Sequence, residues 1–281
     1  VEDLAVAYRH CERVTRQRAG NFFYGIRLLP PAKRRAMCAV YAFAREVDDV
    51  GDGDLPSESK LAALDGIQNH LYASNGGATR PPMNVALDDA IQRFELPVDA
   101  LQDLIEGVRM DVYPEAFESF DELVIYCRRV AGSIGRLCLA IFGASDQERA
   151  FRLADDLGVA MQLTNILRDV REDFDNGRVY LPREDLERFG CEEFPEGSPD
   201  AASALIAFEA ARGREWFERG LELVPLLDTR SASCVLAMTG IYRRVLERID
   251  ESPELVMRQR VSLPGWEKAW VAARSLVEAA A

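Results

Sequence analysis

The sequence predicts an all-α protein folded as one domain over residues 1–281. Three observations carry this. Apolar residues recur at helical spacing through nearly the whole chain, and sustained period-two alternation is absent. The breaks between helical stretches are short, with no internal repeat, low-complexity tract or linker long enough to separate a pair of domains. A composition of 48% hydrophobic and 29% charged residues supplies a large core and excludes disorder, collagen and a coiled-coil rod.

Taken in order, Pro30-Pro31 opens a helix, because proline suits the first turn, and Ala36, Val40, Phe43, Val47 and Val50 then follow at i, i+4, i+7, i+11 and i+14. Ser74 through Pro82 reads as a loop. Helical patterns run from Val85 to Phe94 and from Val98 to Val112, and Pro114 breaks the chain. Phe120 to Phe142 reads as one helix, bent at Gly132 and Gly135. Gln147 to Asp173 reads as another, ending at the turn Asp175-Asn176-Gly177. After an acidic loop from Gly190 to Asp200 come helices over about 201–224, 231–250 and 264–280.

A formal charge of -13 excludes an ordinary nucleic-acid binder, which carries a basic face to offset phosphate. An acidic protein can still take a phosphorylated substrate if divalent cations bridge the like charges. No apolar run approaches the ~18 residues of a membrane span; Leu137–Phe142 and Val235–Met238 are short enough for core helix. The first residues lack a signal-peptide pattern. Six cysteines form no CxxC pair, and His10 and His70 are too few for a zinc site, so reduced thiols in a cytoplasmic chain are expected.

Two polar stripes carry the chemistry. At about 100° per residue, Tyr41, Arg45, Asp48 and Asp52 fall within about 60° on one helix face. Asp48 and Asp52, at i and i+4, can place both carboxylates on one cation; Mg²⁺ takes one or two carboxylates plus phosphate oxygens and waters. Further on, Gln162, Asn165, Asp169 and Asp173 lie at i, i+3, i+7 and i+11, with Leu163, Ile166, Leu167 and Val170 opposite. Either stripe alone reads as a solvated helix face, since a DxxxD match is cheap in a chain with 47 acidic residues. Two of them in one helical chain, with Arg45, Arg168 and Arg171 nearby, predict two facing helices holding Mg²⁺ with a diphosphate bridging the ions.

With these stripes in place, the sequence resembles the squalene and phytoene synthase family. Four blocks carry the resemblance: Tyr41 to Asp49, Tyr126 to Gly135, Gln162 to Asp169, and Gly177 to Pro182. The resemblance implies a single-domain isoprenoid synthase helical bundle with a central cavity. It implies an Mg²⁺-dependent, head-to-head joining of two prenyl diphosphates, in which loss of one diphosphate leaves an allylic cation that alkylates the second molecule. Two or three Mg²⁺ would bridge the substrate diphosphate through Asp48, Asp52, Asp169 and Asp173, with Asn165 supporting. Arg45, Arg168 and Arg178 would bind diphosphate through forked donors. Tyr126 would face the cavity, although a buried structural tyrosine is the ordinary reading of a helical Tyr. Phe22 and Val130 match cavity-lining positions, and on composition alone either is plain core. Tyr41 and Gln162 belong to the same substrate-binding set. Asn21 stands beside Phe22 where many members carry serine, and takes over its diphosphate contact in this reading.

Within the family, Tyr24 to Pro31 and Ile141-Phe142-Gly143 look most like bacterial presqualene diphosphate synthases of hopanoid pathways. The expected reaction is therefore condensation of two farnesyl diphosphates to presqualene diphosphate, without NADPH. The alternatives are a phytoene synthase using geranylgeranyl diphosphate, a dehydrosqualene or squalene synthase, and a non-catalytic assembly factor on the same scaffold, which the intact aspartate pairs disfavour. The expected location is cytoplasmic, with weak peripheral membrane contact, no nucleic-acid partner, and downstream enzymes as possible neighbours.

Overall fold

The computed structural model describes residues 2–72 and 80–280, and every regular element within them is helical. The all-α expectation holds. The loop expected from Ser74 lies largely outside the described residues; its far end is already helical, because α5 starts with Pro82 at its first position.

The first half comprises α1 (Glu2–Arg18), a short α2 (Phe22–Ile26), α3 (Pro31–Asp52), α4 (Ser57–Tyr72), α5 (Pro82–Phe94) and α6 (Val98–Val112). α3 begins at Pro31, where the sequence places it. It buries Ala36, Val40, Phe43 and Val47, and packs against α1, α5 and α6. Its Tyr41 and Arg45 face is left for the interior cavity.

The expected helix over Phe120–Phe142 divides into α7 (Phe120–Cys127), a π-helical turn (Arg128–Gly132) and α8 (Ser133–Phe142), the last also packed on α3. A widened turn rather than a bend accommodates the chain here, where it presses against the next helix, α9 (Gln147–Arg168). A Cβ on Gly158 would stand 2.5 Å from the Ala131 carbonyl oxygen, and one on Gly135 would fall on the carbonyl of Ala154. Glycine at both positions lets the two backbones touch.

α9 is buried on nearly all sides, as a central helix must be. It packs against α8, α12 (Pro199–Gly220) and α13 (Thr229–Glu251). At its start the Asp146 side chain accepts from the Arg149 N–H at 3.1 Å. The predicted helix to Asp173 is interrupted at Asp169, whose backbone leaves the helical region (φ -104°, ψ 10°), and resumes as α10 (Val170–Asp175). α11 (Arg183–Arg188) follows. The stretch expected to be helical to 224 tightens after Gly220 into a 3₁₀ segment, Leu221–Leu226, that contains Pro225. α14 (Gly265–Glu278) closes the chain against α13 and α2. One hydrophobic cluster runs through these helices from Ala7 to Val271. The six cysteines are all buried and unpaired, and no helix among the described residues is long and apolar enough to cross a membrane.

Candidate active site

A cavity of about 420 Å³ lies between α2, α3, α6, α8, α9 and α13. Tyr41, Arg45, Asp48 and Asp52 reach it from α3. Gln162, Asn165 and Arg168 reach it from α9, and Asp169, Asp173 and Arg178 from the segment that follows. Phe22, Tyr126 and Val130 complete the set of sequence-predicted residues in its wall. The two stripes do face one another across one space. Asn21 is not brought into it: it caps α2, half-buried, one residue away from the cavity-lining Phe22. Arg171 points away and pairs with Asp175 at 2.7 Å and Glu196 at 3.1 Å. His10 and His70 line no part of it.

The cavity is polar at one end and apolar at the other. Ile26, Met37, Leu139, Phe142, Val235 and Met238 form the apolar end. At the polar end burial pushes the Asp48 carboxyl up to about 7, with the charge of Asp52 adding to the shift and Arg45 opposing it. Asp173 is likewise pushed up to about 7, by burial and then by Asp169, against Arg178. Burial first, and a neighbouring carboxylate second, disfavour the charged form of both acids, and nearby positive charge offsets part of this. Asp52 receives some from Arg178 at 3.3 Å. Asp169 receives more: Arg168 donates through Nε at 2.8 Å and through Nη2 at 2.5 Å, and Arg260 lies at 2.9 Å.

The donor set suits a hard divalent cation. It consists of carboxylate oxygens and the side-chain oxygen of Asn165, which is buried without a hydrogen-bond partner while its amide nitrogen donates to Gln162 at 3.2 Å. Among the described residues no three acidic, His or Cys side chains converge into a complete metal cage.

Five residues lie beyond what the helical spacing marks: Asp111 and Tyr180 in the cavity wall, and Tyr242, Arg260 and Lys268 beside Arg168 and Asp169. Asp111, on α6, accepts hydrogen bonds from the Tyr126 hydroxyl at 3.0 Å and the Tyr180 hydroxyl at 2.8 Å. The two phenol rings stack, 5.3 Å between centroids. An acid continuing the apolar face Leu104, Val108 is the available sign for Asp111. Tyr180 sits inside one of the four family blocks, with no helical spacing to tie it to the stripes. Tyr242 lies wholly buried beside Arg168 and Asn165; burial raises its phenol, and Arg168 opposes that. Lys268, from α14, is lowered by burial and by the charges of Arg168 and Arg260. Arg168, Arg260, Lys268 and Tyr242 thus gather around the Asp169 end, where an anion would compensate the positive charge.

The squalene/phytoene synthase family profile matches residues 15–267. A phytoene synthase of Mycobacterium tuberculosis is 48% identical, covering 98% of this chain and 92% of its own length. A phytoene synthase of Arthrospira platensis is 35% identical over 93% of this chain and 90% of that one. Among solved structures, a dehydrosqualene synthase in complex with ligand superposes with a TM-score of 0.89 at 27% identity, covering 99% of this chain and 98% of that chain. Squalene synthase HpnC from Alicyclobacillus acidocaldarius gives 0.80 at 33% identity, over 89% and 95%.

Proposed function

The chain belongs to the squalene/phytoene synthase family, whose members are head-to-head prenyltransferases, and from that premise we propose that it is a phytoene synthase acting on two molecules of geranylgeranyl diphosphate. The observation that carries this choice is the 48% identity over 98% of the chain to a protein named phytoene synthase. The farnesyl-to-presqualene reading expected from the sequence has less support, since the relative from Arthrospira platensis, 35% identical, also carries the phytoene synthase name.

The residues divide the work between the two ends of the cavity. In the first half-reaction the C1–O bond of one substrate breaks, the diphosphate leaves with both electrons, and the allylic C1 bonds to the double bond of the second substrate. Loss of a proton closes a cyclopropane. Asp48, Asp52, Asp169 and Asp173 would hold Mg²⁺, which when bound would supply charge neutralisation for the leaving diphosphate. Arg45, Arg168 and Arg178 orient the diphosphate oxygens through their forked donors. Tyr126 and Tyr180 both donate to Asp111, which fixes the two phenol oxygens at the cavity wall, where a cation forms. The apolar end holds the prenyl chains and keeps water from the cation. In the second half-reaction the remaining C1–O bond breaks with both electrons going to the diphosphate. The cyclopropylcarbinyl cation rearranges with opening of the ring to the linear chain, and loss of a second proton ends the sequence, so no reductant is consumed.

The test is direct. Purified protein with Mg²⁺ is given geranylgeranyl or farnesyl diphosphate, each with and without NADPH, and diphosphate and hydrocarbon products are separated by mass. Phytoene from geranylgeranyl diphosphate, unaffected by NADPH, is expected. Accumulation of presqualene diphosphate from farnesyl diphosphate at a higher kcat/KM would overturn the assignment in favour of the farnesyl reading.

A further inference from the structure

We propose that Lys33, which lines no part of the cavity, holds the floor of its apolar end and so sets how long a prenyl tail the site admits. The inference rests on the proposed activity, to which it adds a length limit. Along α3 the lining residues pass from Met37 through Tyr41 to Asp48, from apolar to acidic. Met37 and Asp48 stand about 16 Å apart at the helical rise of about 1.5 Å per residue. Lys33 lies one turn before Met37, beyond the apolar end, in the first turn of α3.

Its ammonium gathers the ends of two other wall helices at that level. Lys33 Nζ donates to the Phe142 carbonyl at 2.6 Å, to Asp228 at 2.7 Å and to the Ser231 hydroxyl at 3.1 Å, which uses all three of its protons. Phe142 is the last residue of α8, where a carbonyl has no acceptor role left within its own helix. Asp228 caps α13, accepting from the N–H groups of Arg230 at 3.0 Å and Ser231 at 3.1 Å. Ser231 in turn lies one turn before Val235, which lines the apolar end.

A lysine in the first turn of α3 gains nothing from its own helix, whose N-terminus repels a cation. The closing carbonyl of α8 and the capping carboxylate of α13 attract it instead. Burial would raise the Asp228 carboxyl, but the hydrogen bonds from Lys33 and Ser231 and the charge of Lys33 hold it down at about 2, so the clasp is a charged pair. Phe142 is buried and its side chain belongs to the cavity wall, while Lys33 holds its carbonyl. On the outer side the clasp meets water: the Lys33 side chain is 23% exposed and that of Asp228 48%. The clasp thus stands between the apolar floor and solvent, and a tail one isoprene unit longer has to displace Phe142 against it.

The test compares substrate lengths. Wild type, Lys33→Met and Asp228→Asn are given Mg²⁺ with geranylgeranyl or geranylfarnesyl diphosphate, and kcat/KM is measured for each. Asparagine at 228 keeps an oxygen for the α13 cap and removes the anion facing Lys33. We expect both variants to raise the ratio of kcat/KM, longer over shorter substrate, by about tenfold or more, the scale on which a pocket discriminates small apolar groups. Phe142→Ala should raise the ratio too, and adding Lys33→Met to it should raise the ratio no further, because the lysine acts through that residue. A clasp that served stability alone would lower both values in proportion; an unchanged ratio in Lys33→Met and Asp228→Asn would therefore overturn the proposal. So would effects of Lys33→Met and Phe142→Ala that multiply independently. The proposed function fails separately: a wild type that turns over farnesyl diphosphate best refutes it, and the clasp is then judged by the same ratio one isoprene unit lower. If the wild type turns over none of them, calorimetric Kd values of the corresponding thiolodiphosphate analogues with Mg²⁺ supply the ratio.

Discussion

Tyr126 donates its hydroxyl proton to Asp111 at 3.0 Å, across 15 residues of sequence and from one helix of the cavity wall to another. The same carboxylate takes the Tyr180 hydroxyl at 2.8 Å. One buried acid therefore sets the orientation of two stacked phenols.

Asp111→Asn should lower kcat about 10²-fold with little change in KM, because an amide holds the phenols less firmly and contributes no charge beside the forming cation. Tyr126→Phe should behave alike. Steady-state kinetics with a melting curve as the fold control checks this; wild-type kcat in Asp111→Asn would remove the pair from the chemistry.

Asp48→Asn and Asp173→Asn should each abolish turnover at saturating Mg²⁺ while leaving the melting temperature equal or higher. Burial holds both carboxyls up at about 7, so the folded protein carries them at a cost that the amide relieves. Chelation of the wild type with EDTA should stop the reaction, and added Mg²⁺ should restore it. Turnover in calorimetric or product assays that survives EDTA would contradict the role.

Lys268→Met should raise KM about tenfold, as expected for losing one charge-assisted contact to diphosphate, and leave the fold intact. Its ammonium is depressed by burial and by Arg168 and Arg260, so deleting it relieves repulsion in the free protein. Inhibition by inorganic diphosphate offers an independent reading: the inhibition constant should weaken in parallel with KM.

Far from the cavity, Glu209 is buried beside Arg212 at 2.9 Å and faces Asp185, the partner of the same arginine. Burial raises Glu209 well above its ordinary 4.5, with Arg212 opposing and Asp185 adding. In the folded state this group holds its proton more tightly than in the unfolded chain. Its contribution to stability is therefore full below its ordinary 4.5, and is lost as pH rises through the raised folded value of about 8. Glu209→Gln should flatten the pH dependence of the melting temperature between about pH 5 and about pH 8, and unchanged dependence would refute the assignment.

Much of the site is legible in the sequence because its residues repeat along single helices. Tyr41, Arg45, Asp48 and Asp52 share a face by spacing alone, and so do Gln162, Asn165 and Asp169. Asp173 stays with them although the helix breaks at Asp169, since the chain resumes as α10 with little offset. Asn21 shows the limit of that logic. Its place comes from the resemblance and not from helical spacing, and in the fold it precedes α2 as the N-cap residue and lines no part of the cavity.

The sequence by itself determined the helical class, the two carboxylate stripes and the family, since each depends on local periodicity or on ordered motifs. Tertiary structure alone decided that Asp111, Tyr180, Tyr242, Arg260 and Lys268 join the site. Asp111 and Tyr180 reach the cavity wall from α6 and from the chain after α10, while Tyr242, Arg260 and Lys268 come from later segments and lie around Arg168 and Asp169. It alone also left Trp266 and Trp270 facing outward, because which side of an amphipathic helix is buried depends on the neighbours that cover it.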